Sequence, residues 1–307
     1  MHLRQFIPKR KDRGAAIMLA LWALFLLSAM IISWALDIDT RLTIAGSANR
    51  SLEAIAMACS GAEVALHPAV KPGLPVLRGN FPPNQSYEAR ITGEGGRLNL
   101  NKLTLGENPV YRELLRRYLE VKGVDLNDRD HMLDCLWDWV DPDNLVRQSG
   151  AEDEPGYKPP NGPLKSLDEL KRIRGWEEFT ARPDWDADFT MNSQDAKVDI
   201  NWASRDVLLS LPGADERLVD RLMSARRGPD DIEGTDDDVK FTSVQELVVL
   251  GFSQNLLNQL GGLITFNDPF MRIISVGKSG TKTRTVQFVV FKQSSAIRLI
   301  PGTWKEF

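Results

Sequence analysis

The stretch KRKDRGAAIMLALWALFLLSAMIISWAL, from Lys9 to Leu36, decides the fold because it joins a basic leader to an uncharged apolar run. Residues 1–14 carry five Lys or Arg against one Asp, and Ala15 to Leu36 carries no charge. About 20 apolar residues cross the hydrocarbon core of a bilayer as a helix, and the basic flank stays in the cytoplasm. The sequence therefore predicts one membrane-spanning helix, with everything after Leu36 on the far side.

The helix is predicted to continue well beyond the membrane. His67 and Pro68 end the helical pattern, so we expect one helix from Ala15 to Leu66, about 78 Å long at 1.5 Å per residue. A cleaved secretory signal peptide is the alternative, but the apolar run is long for such a peptide and no A-x-A-like site follows it. Six small or apolar residues recur on one face of the continued helix: Ala48, Leu52, Ile55, Ala56, Cys59 and Ala62.

The composition is that of a folded chain with room for two compact units. It has 307 residues, of which 42% are hydrophobic and 26% charged, as in ordinary globular proteins. Removing residues 1–14 changes the formal net charge from −4 to −8, so the exported part is an unfavourable partner for nucleic acid. With three His and two Cys in no zinc-binding spacing, a zinc enzyme is disfavoured. Whether Cys59 and Cys135 form a disulfide stays open.

The hydrophobic pattern changes twice along the rest of the chain. Helical periodicity dominates residues 109–263, and β-branched alternation after Ile264 predicts the strands FMRIISVGKS, TRTVQFVVFK and AIRLI, with a turn at GKSGTK. Within the helical region a unit recurs as SLDELKRIRG, SRDVLLSLPG and SVQELVVLG. Serine begins each unit, glycine closes it, and Glu169 and Glu246 complete capping boxes.

These features resemble a known family. A basic leader, a glycine junction and one long half-buried helix resemble the class III signal of type IV pilins and pseudopilins. Farther along, five segments resemble, in order, those of the type II secretion minor pseudopilin K family: GGRLNLNKL, LWDWVDPD, GAEDEPGY, PNGPLKSLDELKRIRGW and VDINWASRDVLLSLPG. Asp199 and Trp202 depart from the family's pattern in the last of them.

The resemblance implies a processing site and a domain organisation. Residues 1–14 would be a leader that prepilin peptidase removes after Gly14, leaving Ala15 as a methylated amino terminus. The expected fold is α+β. It would comprise a long helix over residues 15–66 with its transmembrane part at 15–36, a pseudopilin α/β unit with an antiparallel sheet at 67–100 and 264–307, and an inserted all-helical domain at 101–263. That domain is expected to be of the SAM-like or helix-hairpin-helix kind.

The resemblance also implies a function without catalysis. A single-pass protein of the bacterial inner membrane would place its carboxyl-terminal domain in the periplasm, and would start and cap a short filament with other minor pseudopilins and the major pseudopilin. Most of the superfamily carries glutamate at the fifth mature position, where this chain has Leu19. That glutamate neutralises a neighbour's amino terminus in an apolar filament core. Leu19 is therefore expected to define a tip position.

An acidic run, DWVDPDNLVRQSGAEDEPGY from Asp138 to Tyr157, has three interpretations. It could be a solvated face, a carboxylate pair for glycoside hydrolysis, or oxygen ligands for calcium. Hydrolysis is disfavoured because no His neighbours the acids and no G-x-S-x-G motif occurs. The resemblance favours structural calcium, since the family's helical domain holds it. The expected ligands are Asp138, Asp141, Asp143, Glu152 and Asp153.

A second acidic loop, GPDDIEGTDDDVKF from Gly228 to Phe241, is another candidate calcium site. It does not match the EF-hand pattern, and an exposed acidic insertion is the alternative. The candidate ligands are Asp230, Asp231, Asp236 and Asp238, with Asp237 beside them.

The helix–glycine–helix units raise one rival function, a membrane-tethered DNA-binding module of an uptake system. Such hairpins bind a phosphate through backbone N–H groups. LPGADERLVDRLMSARR has the hairpin shape, but Asp215 and Glu216 stand where a phosphate would approach. Nucleic-acid binding is therefore disfavoured, and a packing or partner-docking role is favoured.

Overall fold

A computed structural model describes residues 12–235, 237–293 and 296–307 of the chain. Most of the predicted leader, residues 1–11, lies outside the described residues, and so does Asp236. The long helix α1 runs from Asp12 to Leu66 without interruption and confirms the predicted helix. The helix ends at Leu66, as the His67-Pro68 pair predicts. The chain turns there, and the N–H of Ala69 donates to His67 Nδ1 at 3.2 Å.

The sheet is antiparallel and draws its strands from both ends of the sequence. Strands β1 (Arg78–Phe81) and β2 (Gln85–Gly93) precede the helical region. The other members follow it: β7 (Phe270–Ser279), β8 (Lys282–Gln293), β9 (Ala296–Leu299) and β10 (Lys305–Glu306). The hydrogen-bonded order is β1-β2-β7-β8-β10, and β9 also pairs with β8. The tight turn lies at residues 280–281, inside the predicted GKSGTK segment.

Helix α1 packs closely on β7 because small residues line both sides. A Cβ on Gly277 would lie 2.1 Å from the Ala54 carbonyl oxygen and 2.2 Å from the Ala58 nitrogen. A Cβ on Gly61 would lie 2.5 Å from Ser275 Oγ. Around this contact the apolar faces of α1, β2, β7 and β8 form the first hydrophobic core, which includes Ala58, Ala62, Ile91, Ile273, Val286 and Phe288.

Residues between the two halves of the sheet form a mostly helical unit with its own core. Its helices are α2 (Leu100–Leu103), α3 (Pro109–Val121), α4 (Leu126–Val140), α5 (Glu177–Thr180), α6 (Arg205–Ser210), α7 (Glu216–Arg226), α8 (Val244–Val249) and α9 (Gln254–Leu260). Short parallel strand pairs join β3 (Leu98–Asn99) to β4 (Phe189–Thr190), and β5 (Val198–Asp199) to β6 (Ile264–Thr265). The second core extends from Leu98 to Ile264 and contains the buried Trp137, Trp139 and Trp176.

The recurring units differ in detail from their predicted caps. Gly175, Gly213 and Gly251 all have positive φ, as helix-closing glycines require. Ser204 caps α6 by accepting from the Val207 N–H at 3.2 Å. Ser166 and Ser243 make no such bond, and the first unit forms a 3-10 helix, Leu167–Arg172. Glu169 and Glu246 instead accept from the N–H groups of Lys165 and Thr242, one residue before each serine.

A buried ion-pair network joins the two units. Glu94 is fully buried and its carboxylate accepts from Arg272 Nη2 at 2.7 Å, from Arg272 Nε at 2.8 Å and from Arg97 Nη1 at 3.1 Å. Thr190 Oγ1 donates to the same carboxylate at 2.5 Å. Glycine is required next to Glu94 because the Trp202 backbone packs closely against Gly96. A Cβ on Gly96 would lie 2.4 Å from that backbone. These contacts hold the helical unit at the Phe270 end of β7.

Candidate assembly helix and acidic loop

The amino-terminal half of α1 presents an unburied apolar surface. By length and composition α1 could cross a membrane from Gly14 onward. Every large apolar side chain from Ile17 to Leu36 is at least 55% exposed, and Leu19 is 71% exposed. At position 19 the helix surface is therefore apolar and uncharged.

The predicted cleavage site lies on the same helix. Gly14 is exposed within α1, and a Cβ added to it would meet nothing within 4 Å. The fold itself therefore does not require glycine at this position.

One arginine gathers part of the acidic loop. Asp138, at the end of α4, is fully buried, and its Oδ1 accepts from Arg147 Nη1 at 2.6 Å. The same Nη1 donates to Asp141, and Arg147 Nη2 donates to Glu107. A side chain at Gly150 would displace the Asp138 carboxylate, since a Cβ would lie 1.9 Å from Asp138 Oδ2. Asp138 is therefore neutralised by Arg147, and its loop closes tightly over it.

Glu152 is the unusual carboxylate of the loop. It is 3% exposed, yet neither of its side-chain oxygens has a hydrogen-bond partner among the described residues. Burial, and then the nearby Asp138, Asp141 and Asp143 carboxylates, raise the pKa of Glu152 to about 7. An unpaired buried carboxylate costs free energy. Glu152 is therefore more stable when it binds a proton or a cation.

Other oxygens nearby share this lack of partners. Asp141 Oδ1 and Asn161 Oδ1 are buried without a hydrogen-bond partner within the described part of the chain. The Asn161 amide nitrogen donates to the Asp143 carbonyl at 2.6 Å, which places Asn161 beside the loop. Asp153, by contrast, is 64% exposed and lies 3.8 Å from Lys158 Nζ. The available oxygens suit calcium, which accepts carboxylate and amide oxygens in flexible geometry.

The same loop shows what sequence reasoning found and missed. Asp138, Asp141 and Glu152 lie close together, but across the described ranges no three His, Cys, Asp or Glu side chains form a ready-made metal cluster. Sequence reasoning missed the roles of Arg147, Glu107 and Asn161. The single arginine within an acidic run was the available signal for the first, whereas Glu107 is 40 positions away along the chain.

The second acidic loop is largely satisfied by its own backbone and by cations. Asp230 accepts from the Ile232 N–H at 2.8 Å, and Asp238 accepts from the Gly234 N–H at 2.9 Å. Asp231 pairs with Arg227 at 3.3 Å. Asp238 Oδ1 is buried without a partner among the described residues. Since Asp236 lies outside them, its place in the predicted ligand set stays a prediction.

The geometry of the hairpin between α6 and α7 is unfavourable for phosphate binding. The Asp215 carboxylate accepts from the Leu218 N–H at 2.8 Å, so it occupies the helix start that a phosphate would use. Arg205, the nearby cation, pairs with Asp220 at 3.1 Å. This geometry agrees with the packing role favoured from the sequence.

The two cysteines are both free. Cys59 packs against the sheet core, whereas Cys135 is buried in the core of the helical unit. Burial raises the pKa of Cys135 to about 12, so it carries no reactive thiolate at neutral pH.

Comparison with known proteins gives two findings. Residues 96–182 match the family model described as type II secretion system (T2SS), protein K. The chain is also similar to a chain of the solved GspK-GspI-GspJ complex from the type 2 secretion system of enterotoxigenic Escherichia coli, with a TM-score of 0.56 and 14% identity. That alignment covers 88% of this chain and 99% of the other. No curated protein sequence matches. Residues 96–182 therefore match a domain of the type II secretion system protein K family, and the chain as a whole shares the fold of a chain in that complex.

Proposed function

We propose that the chain is a non-catalytic minor pseudopilin that starts and caps the periplasmic pseudopilus tip of a type II secretion system. The observation that carries the proposal is Leu19, an exposed apolar side chain at the fifth position after Gly14. A subunit that enters beneath another must neutralise the amino terminus above it, because an unpaired charge in an apolar core is costly. Leu19 cannot do this, so the subunit has no place below another one.

The processing step follows from the same helix. Prepilin peptidase of the inner membrane would cut between Gly14 and Ala15, and Ala15 would be methylated. The basic flank would keep the amino terminus in the cytoplasm and send the sheet and the helical unit into the periplasm. Mass spectrometry of the membrane protein tests this, and a mature chain that begins after Leu36 would instead indicate signal-peptide cleavage.

Other minor pseudopilins are the proposed partners, because the similar chain comes from a complex of GspK with GspI and GspJ. The major pseudopilin would join from below, where the free amino terminus of this chain accepts a neighbour's glutamate. The full chain, purified from membranes that contain the other minor pseudopilins, should bring those proteins with it in fixed proportion. Recovery of the chain alone from such membranes would contradict the proposed role.

Structural calcium in the helical unit is the other part of the proposal. Support comes from the orphaned oxygens of Glu152 and Asp141, with Asp143 and Asn161 beside them. Calcium would supply the positive charge that these oxygens lack and would hold the two ends of the loop together. The loop of Asp230, Asp231, Asp236 and Asp238 is a weaker second candidate, because most of its described carboxylates are already hydrogen-bonded.

A further inference from the structure

Charge is divided unequally between the two units. The sheet unit, residues 67–100 and 264–307, contains eleven Lys or Arg and four Asp or Glu. The helical unit, residues 101–263, contains 20 Lys or Arg and 33 Asp or Glu. The net negative charge of the exported part therefore conceals a strongly basic sheet unit.

The contacts of α1 define which end of the sheet faces the membrane. Ser279 Oγ donates to Glu53 at 2.6 Å, and Arg284 Nε donates to Ser51 Oγ at 2.8 Å. Ser275, earlier on β7, lies against Gly61, which is farther from Leu36 along α1. Strand β7 therefore runs toward the membrane, and the acidic helical unit joins the sheet at its far end.

Basic and apolar side chains collect at the end that faces the membrane. The turn after β7 lies beside the turn between β1 and β2, because the Gly280 N–H donates to the Asn84 carbonyl at 3.0 Å. We define the membrane-facing end by five exposed residues: Arg50, Phe81, Lys278, Lys282 and Arg284. Within the described part of the chain, none of the four cations has a carboxylate within 4.0 Å. Glu53, an acid near this end, is held by hydrogen bonds from Ser279, Gln85 and Asn49.

The length of α1 sets how closely this end can approach lipid. Arg50 follows Leu36 by 14 residues, about 21 Å along an upright helix. A tilt of about 40°, within the range of membrane helices, lowers that height to about 16 Å. A sheet packed about 10 Å to one side of the helix axis descends about 6 Å more. The headgroup layer is about 5–8 Å thick, so the basic residues come within about one Debye length of the phosphates.

We propose that the membrane-facing end binds the anionic headgroups of the leaflet from which α1 emerges, so that the unassembled subunit leans its sheet on the membrane. Lys and Arg close to a bilayer are attracted to anionic lipid, and an exposed apolar ring such as that of Phe81 can insert at the boundary between headgroups and acyl chains. The acidic helical unit is repelled by the same surface and lies at the opposite end. The proposal goes beyond tip capping and rests on α1 spanning the membrane.

The test uses the full chain in lipid nanodiscs with an environment-sensitive fluorophore on Thr281→Cys, in the turn after β7. Wild-type chain treated identically corrects for labelling of Cys59 and Cys135. Emission should be about twofold brighter in discs with equal phosphatidylcholine and phosphatidylglycerol than in phosphatidylcholine alone. Added salt should remove the difference, since screening shortens the reach of these charges.

Two double variants with equal changes in charge test whether the membrane-facing end causes the response to phosphatidylglycerol. Lys278→Glu with Lys282→Glu should abolish the response to phosphatidylglycerol. Lys71→Glu with Arg298→Glu makes the same change in charge on the same unit, but at exposed positions near its far end, and should leave the response intact. Equal loss in both pairs would overturn the proposal.

Two further outcomes would also overturn it. Equal emission in both lipid compositions would show that the end does not contact headgroups. Emission that depends on the number of chains per disc, and not on the lipid, would assign the surface to contacts between copies. Coelution of chain and disc checks membrane insertion of α1 separately, so failure of the spanning helix is distinguishable from failure of the lipid contact.

Discussion

Among single residues, Glu152 is notable because its buried carboxylate has no neutralising partner among the described residues. The neighbouring Asp138, by contrast, is neutralised by Arg147. The acidic residues themselves could be found from the sequence. Their division into neutralised and unsatisfied groups could not, because Arg147 also binds Glu107, which is distant in the chain. Pairing of this kind depends on the tertiary fold.

The effect of Glu152→Gln on stability should change sign with calcium. In chelator at pH 8 the variant should melt at a higher temperature than wild type, because it removes an unpaired buried charge. The pKa of Glu152 is raised from 4.5 to about 7, so the stability that its protonation provides is full below about pH 4.5 and is lost as the pH rises through about 7. The advantage of the variant should therefore disappear at pH 5.

In calcium the order should reverse. Calcium at about a hundredfold excess over its dissociation constant stabilises a domain that binds it by about 2.7 kcal/mol, and Glu152→Gln should lose most of this gain. Asp153→Asn is the control, because Asp153 is adjacent but exposed, and it should melt like wild type in both conditions. A wild-type melting temperature that calcium does not change would mean that the loop does not bind calcium.

At the scale of elements, periodicity predicted most of the fold. The end of α1 at Leu66 and the strands Phe270–Ser279 and Lys282–Gln293 agree with the patterns. The caps at Ser166 and Ser243 were predicted wrongly, because each glutamate reaches one residue farther back than a capping box requires. The closeness of α1 to β7 was not predictable either. It depends on Gly61 meeting Ser275 and Gly277 meeting Ala54, a pairing that separate patterns do not contain.

Gly277→Ala should loosen the contact between α1 and the sheet. The added Cβ would lie 2.1 Å from the Ala54 carbonyl oxygen, so α1 must shift, and overpacking of this kind costs about 1–3 kcal/mol. Alkylation of half-buried Cys59 on α1 should become faster, while buried Cys135 should react at its original rate. Gly262→Ala is the control, because its Cβ would meet nothing within 4 Å. An unchanged Cys59 rate in Gly277→Ala would contradict this packing.

In the whole molecule, the two units lie at different distances from the amino-terminal end of α1. The sheet packs on the carboxyl-terminal half of α1, and the helical unit is held at the far end of the sheet, where Thr190 donates to the buried Glu94 carboxylate. A bulky unit at that end suits a subunit with nothing above it. In the proposed filament, we expect this unit to collide with neighbouring subunits if it lay along a tightly packed shaft. Leu19 at one end of the molecule and the helical unit at the other therefore both support the proposed tip position.

The position of this subunit in the filament distinguishes placement at the tip from placement along the shaft. The helical unit would be labelled with gold in the full chain, and sheared pseudopili would be imaged. We expect label at one end of each filament and none along the shaft, because Leu19 cannot neutralise the amino terminus of a subunit above. Label spaced regularly along the shaft would contradict the assignment of this chain to the tip.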